Sequence, residues 1–162
     1  MTEESRQEYL KELAKTKRGQ MKLKLWNWGG ALDLCKRKHE EIRKMNRMLE
    51  DAKQLAQEVS IAEEVQKEYS IAFEKIVMEY QQEIRNIQAA IEEVLTKKSN
   101  MDKMIARLDT EEQEFLHLRY EKGYGYDYIS LKIHMSRAQC FRLNEKALEK
   151  LVDMEEEGFL GG

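Results

Sequence analysis

Proline is absent from the 162 residues and glycine is scarce, with four of the eight glycines at positions 29, 30, 161 and 162. Few helix interruptions are therefore written into the chain. No stretch alternates β-branched with polar residues, which argues against sheet. Long apolar runs are missing too. The longest uncharged stretch, Leu25 to Leu32, falls far short of the roughly 20 residues that a membrane span requires. The opening MTEESRQEYL lacks the basic-then-apolar order of a secretory signal. The only two cysteines, Cys35 and Cys140, have no metal-ligand spacing around them. The expectation is a cytoplasmic protein with free thiols, no membrane partner, no metal and no other cofactor.

What is present is charge, at 36% of residues, in a background of Leu, Ile, Ala, Glu and Lys. That composition reads as an all-α protein. The net charge of −3 is unevenly spread. Residues 1–50 hold 13 Lys/Arg and 8 Asp/Glu, residues 51–108 hold 8 and 11, and residues 109–162 hold 7 and 12. Inside that acidic last third, Lys132 to Lys150 carries five basic residues against two acidic ones. Only such local patches could meet phosphate.

Along the chain, residues 1–107 read as a long helical, coiled-coil region. A short amphipathic helix from Thr2 to about Thr16 places Tyr9, Leu10 and Leu13 together. A basic, aromatic segment follows, ended by Gly29-Gly30. Its Lys and Arg with Trp26 and Trp28 either grip nucleic acid or let the tryptophans anchor the N-terminal helices, and the second reading is favoured. A helix at about 31–58 carries Leu32, Cys35, Ile42, Met45, Leu49 and Leu55 near one face. A heptad helix at about 62–107 carries Ile84, Ile87, Ile91, Val94, Met101, Ile105 and Leu108, with Tyr69, Phe73, Ile76 and Tyr80 upstream of a stutter. Lys98 fills the one polar slot of this seam. Ser99-Asn100 either breaks the helix or lies within it. The seam pairs with a second subunit, giving a homodimer or small homo-oligomer, or folds back on the 31–58 helix as a hairpin; seam identity does not name the partner.

Residues 108–155 have a different grammar. Asp109 reads as an N-cap, followed by Thr110-Glu111-Glu112 in a first turn that favours acids. Phe115, Leu116, Leu118 and Tyr120 point to a small core, and Gly123 and Gly125 end the helix. Two short helices with helix-turn-helix spacing come next. Ser130 is the small residue at their closest approach, between Ile129 and Ile133. His134 occupies the sharp turn in a left-handed or nearby conformation, Ser136 caps the second helix, and Cys140 and Leu143 line its inner face. Residues 156–162 form a tail.

Leu116 to Tyr120 (LHLRY), Gly123, Ser136-Arg137, and Glu145-Lys146-Ala147-Leu148 with Leu151 together resemble region 4 of bacterial sigma factors over about 44 residues. With the helical extension EKIVMEYQQEIRNIQAAIEEVL, residues 65–155 are similar to phage and prophage late-operon transcriptional regulators of the RinA/ArpU type. Nothing like sigma regions 2 or 3 is present. The resemblance implies a DNA-binding regulator of transcription, with double-stranded DNA and RNA polymerase as partners. In such a module the second helix enters the major groove. Arg137, Gln139, Phe141 and Arg142 are then the base readers, and Lys132, Lys146 and Lys150 the phosphate contacts. Ala138 and Phe141 depart from the polar residues of the matching sigma positions, and Phe141 packs inside with equal ease. A non-standard promoter element is implied.

Enzymatic signatures are missing: there is no glycine-rich phosphate loop, nucleophile elbow or paired carboxylate in a cleft, and His39, His117 and His134 lie apart. A non-enzymatic protein is expected. The alternative to a regulator is a DNA-packaging adaptor, a small terminase subunit, which also joins a helix-turn-helix to an oligomerising helical segment. A purely structural coiled coil is the third reading.

Overall fold

The computed structural model describes residues 2–61 and 67–159. They form α1 (Glu3–Ala14), α2 (Lys17–Gly29), α3 (Ala31–Ile61), α4 (Lys67–Ile105), α5 (Thr110–Leu116), a π-helical turn (His117–Glu121), α6 (Tyr126–Ile133) and α7 (Arg137–Glu156). The protein is all-helical, with no strand among the described residues. None of the helices is long and apolar enough to cross a membrane. The gap between the helices expected at about 31–58 and 62–107 is helical as far as Ile61, and residues 62–66 lie outside the described set, as does the side chain of Tyr69.

Two compact units emerge, one of the chain up to Ala31 together with the chain from Thr96 onward, the other of Leu32–Leu95. This division corrects the expected boundary at residue 107, because α1 and α2 belong with the C-terminal module. The basic, aromatic segment at 17–28 is itself a helix, capped by the Thr16 hydroxyl, which accepts from the Gly19 N–H at 3.0 Å. Its Met21, Leu25 and Trp28, spaced by four and three, form one buried stripe. They join Met101, Met104, Ile105 and Leu108, Phe115 and Leu116, Leu118 and Tyr120, Ile129, and Cys140, Ala147, Leu148 and Leu151 in a single core. Each fully buried large side chain here is worth roughly 1.5–3 kcal/mol.

Trp28 is fixed further by its indole N–H, which donates to Asp102 Oδ1 at 2.8 Å. Trp26 meets Tyr120 edge-on, with ring centroids 4.6 Å apart. The anchoring reading of the tryptophans is the one this geometry follows. Gly29 explains how α2 comes so near: a Cβ there would stand 1.9 Å from the Tyr120 carbonyl oxygen. The break anticipated at Gly29-Gly30 occurs where α2 ends and α3 begins.

In the second unit α3 and α4 pair as an antiparallel hairpin. Ile42 and Leu49 pack with Ile84 and Ile87, flanked by Met45, Val77, Tyr80 and Ile91. Within the single chain the seam therefore packs as a hairpin. Helix α4 runs unbroken through Ser99 and Asn100. Beyond the hairpin the same seam feeds the first unit's core through Met101, Ile105 and Leu108. Lys98 is compensated there by Asp102, one turn on, at 2.9 Å.

Candidate nucleic-acid interface

The unit of α6, its turn and α7 is built from local signals that agree with one another. Gly125 caps α6, whose C-cap, His134, has φ 56° and ψ 43°, the left-handed conformation that the sharp turn requires. The His134 and Met135 amides both donate to the Ser130 carbonyl, and the Ser130 hydroxyl donates to the Met135 carbonyl. A residue without a hydroxyl at 130 would lose the bond to the Met135 carbonyl. Ser136 then starts α7 with a capping box: its hydroxyl accepts from the Gln139 N–H at 3.1 Å, and Gln139 Oε1 accepts from the Ser136 N–H at 2.8 Å.

The helical period sorts α7 into two faces. Cys140, Asn144, Ala147, Leu148 and Leu151 are buried, and Ile129 of α6 meets them in the core. Asn144 Oδ1 accepts from the Tyr120 hydroxyl at 2.9 Å, a buried polar link that sequence reasoning missed because its halves lie 24 residues apart. Burial pushes the Tyr120 hydroxyl well above the usual phenol range, so it stays a donor. It also raises the Cys140 thiol.

The other face exposes Arg137, Ala138, Phe141, Arg142, Glu145 and Lys146. Arg142, Lys132 and Lys146 have no ion-pair partner among the described residues. Arg137 touches Asp127 Oδ1 at 3.2 Å, an exposed pair that competes only weakly with another anion. Phe141 takes an intermediate place between the two sequence readings. Its ring stacks on Tyr126 at 4.1 Å while 44% of the residue stays exposed. Arg119 lies over the Tyr126 ring at 4.9 Å and over Trp26 at 5.2 Å, and Arg137 lies 5.7 Å from the Phe141 ring. A series of rings and cations, Trp26, Arg119, Tyr126, Phe141 and Arg137, therefore runs from α2 to the first residue of α7. Arg119 also donates to the Tyr124 carbonyl at 3.0 Å. Its positioning role was invisible in sequence beyond its place in the sigma-like run.

Two anticipated contact residues are occupied otherwise. Lys150 Nζ lies 2.7 Å from Glu112 Oε1 and 3.2 Å from Asp109 Oδ2. Glu112 is 1% exposed, so Lys150 neutralises a buried carboxylate and drops out of the phosphate-contact set. Gln139 has its side-chain oxygen held in the capping box, so a bidentate grip on adenine would have to sacrifice the cap.

Electrostatics change with the domain boundary. Arg18 pairs with Glu145 at 2.6 Å and Glu149 at 3.5 Å, Lys24 with Glu155 at 2.6 Å, and Lys17 with Glu156. The acidic edge of α7 is thus matched by the basic edge of α2. Residues 1–31 and 96–162 together carry 18 Lys/Arg and 17 Asp/Glu, where residues 109–162 alone carry 7 and 12. The module is close to neutral, and Lys132 on α6 with Arg142 and Lys146 on α7 are among its exposed cations that have no ion-pair partner among the described residues.

Among the described residues no group of three or more His, Cys, Asp and Glu side chains could hold a metal ion. Comparison with protein-family models, curated proteins and solved structures finds no match to this chain.

Proposed function

We propose that this protein is a sequence-specific DNA-binding regulator of transcription, with the N-terminal half of α7 as its reading element. The observation that carries the proposal is the α6–α7 unit. Its turn is locked by Ser130 and His134, its second helix is capped at Ser136, and Arg137, Phe141 and Arg142 are exposed on the first turns of that helix. A helix of this kind fits the major groove with its N-terminal residues toward the base edges. Arg137 and Arg142 can each bond bidentately to guanine, and the exposed edge of Phe141 can meet a thymine methyl. Lys132 and Lys146 supply phosphate contacts, which fix register without reading sequence.

The near-neutral charge balance of the module suits a reader more than a general DNA binder, since nonspecific affinity grows with the number of phosphates neutralised. With two to four phosphate contacts, the logarithm of the binding constant should fall with the logarithm of salt at a slope of roughly −2 to −4. A promoter-bound role beside RNA polymerase, at a phage or prophage promoter, is part of the proposal and rests on the sigma-like residues alone. Selection of bound duplexes from a random-sequence pool tests the reading. An enriched motif that includes guanine supports it. A pool that stays random at low salt, or no binding at all, rejects it.

A further inference from the structure

The hairpin of α3 and α4 is wider in its apolar pattern than a two-helix pair needs. Two helices alone require one seam apiece, such as Ile42, Met45 and Leu49 on α3 and Tyr80, Ile84, Ile87 and Ile91 on α4. A second seam runs beside the first on α3, through Met45, Met48, Ala52, Leu55 and Val59. Another runs beside it on α4, through Phe73, Ile76, Tyr80, Ile87, Ala90 and Val94, with Glu83 its one charge. Both added rows sit one position before the core row, Met48 before Leu49 and Glu83 before Ile84. In antiparallel helices the same offset falls on the same side, so the two rows make one continuous face. Met48 and Leu55 are each 45% exposed on it, and Ile76 is 37% exposed. Three apolar positions per heptad are the pattern of a helix covered by more than one neighbour.

We infer that a second copy of this chain covers that face, two hairpins stacking into a four-helix bundle with α3 against α3 and α4 against α4, antiparallel across a two-fold axis. Two observations point to a second copy. The rim of the face on α3 repeats every seven residues as Arg37, Lys44, Asp51 and Glu58, all exposed and none ion-paired within the described residues. Two basic residues followed by two acidic ones form a self-complementary row. Laid antiparallel on itself, it sets Lys44 against the partner's Asp51 and Arg37 against the partner's Glu58. Size also fits. At 1.5 Å per residue the α4 row is about 30 Å long, and two helices are about 20 Å wide. That is some 600 Å² in projection, of the order of the ~800 Å² per partner in a standard interface. The inference concerns the hairpin alone and holds whether or not the helix-turn-helix binds DNA.

Sedimentation equilibrium of the full chain at micromolar concentration should give twice the chain mass of 19.3 kDa. Met48→Glu with Leu55→Glu should weaken the dimer about 100-fold or more, with helicity retained because both side chains are already half exposed in the single chain. Lys44→Glu alone and Asp51→Lys alone should each weaken it several-fold, and the two together should restore it. A chain that stays monomeric overturns the proposal. So does a dimer indifferent to the double glutamate variant, an assembly larger than two, or a charge reversal that fails to rescue.

Discussion

The two units of this protein use their apolar residues differently. The unit that holds α6 and α7 buries sixteen apolar side chains in one core, drawn from α2, α4, the loop after α4, α5, the π turn, α6 and α7. The hairpin buries four and leaves Met48, Leu55 and Ile76 exposed on its second apolar face, with Leu32, Ile71, Met78 and Leu95 exposed off that face. The first unit closes on itself, and the large apolar side chains it leaves exposed among the described residues are Tyr9, Tyr128, Leu131 and Phe141. The hairpin has a face to spare. A closed core frees a surface for recognition chemistry, whereas a two-helix layer leaves apolar surface that invites association.

Truncation in the two cores gives the widest contrast. Phe115, with no exposed surface, should cost about 3–5 kcal/mol when changed to Ala, enough to unfold much of the helix-turn-helix unit. Ile84→Ala in the thinner hairpin core should cost about 2–3 kcal/mol, at the low end for a buried Ile. Urea titrations followed by helicity should rank the two in that order, and equal losses would erase the contrast.

A second pair of variants separates lysines that looked alike in sequence. Lys150→Ala strands the buried Glu112 carboxylate, so melting temperature should fall markedly while the salt dependence of DNA binding stays unchanged. Lys146→Ala should leave melting nearly unchanged and flatten the salt slope by about 0.9. Reversed outcomes would put Lys150 on the DNA and make Lys146 structural.

Alkaline pH should destabilise the helix-turn-helix unit. Burial raises Tyr120 above its ordinary 10.0, and the hydrogen bond to Glu112 raises Lys150 above its ordinary 10.5. Each group keeps its proton to higher pH when folded than when unfolded. Their contribution is therefore complete below about pH 10 and is lost as pH rises beyond that value. Melting scans from pH 8 to 11 should show the decline, and Tyr120→Phe should blunt it. A flat profile would remove both groups from the account.

The smallest expected effect is a gain. His134 sits at φ 56°, where a side chain is strained. His134→Gly should raise stability by roughly 0.5–1 kcal/mol, as chemical denaturation would show, and a loss would mean that the imidazole makes a stabilising contact.

How much was legible follows from the range of each signal. The turn at His134, the cap at Ser136, the close approach at Ser130 and the inward Cys140 all lie within a dozen residues, and each was readable because one local geometry demands one residue type. The hairpin was readable only as a seam, since Ile84 and Ile87 would suit a partner helix from either chain. Membership of α1 and α2 in the C-terminal unit was not readable. Trp28 bonds to Asp102, 74 positions away, and Lys24 pairs with Glu155, 131 positions away, and no local pattern announces such partners. Lys150 failed for the same reason, with Glu112 lying 38 residues before it. Phe141 was divided between two readings because it does part of each, stacked on Tyr126 and still open to solvent.

The central claim, that the first turns of α7 read DNA sequence, is tested most directly by Arg137→Ala combined with Arg142→Ala. Affinity for a selected site and for a scrambled duplex would be measured by fluorescence anisotropy at fixed salt. Each bidentate base contact is worth roughly 1–3 kcal/mol, so the double variant should lose about 10²–10⁴-fold for the selected site. Its affinity for the scrambled duplex should change far less, and its melting temperature hardly at all, because both side chains are exposed. A variant that still prefers the selected site by the wild-type ratio would show that α7 is not the reading element.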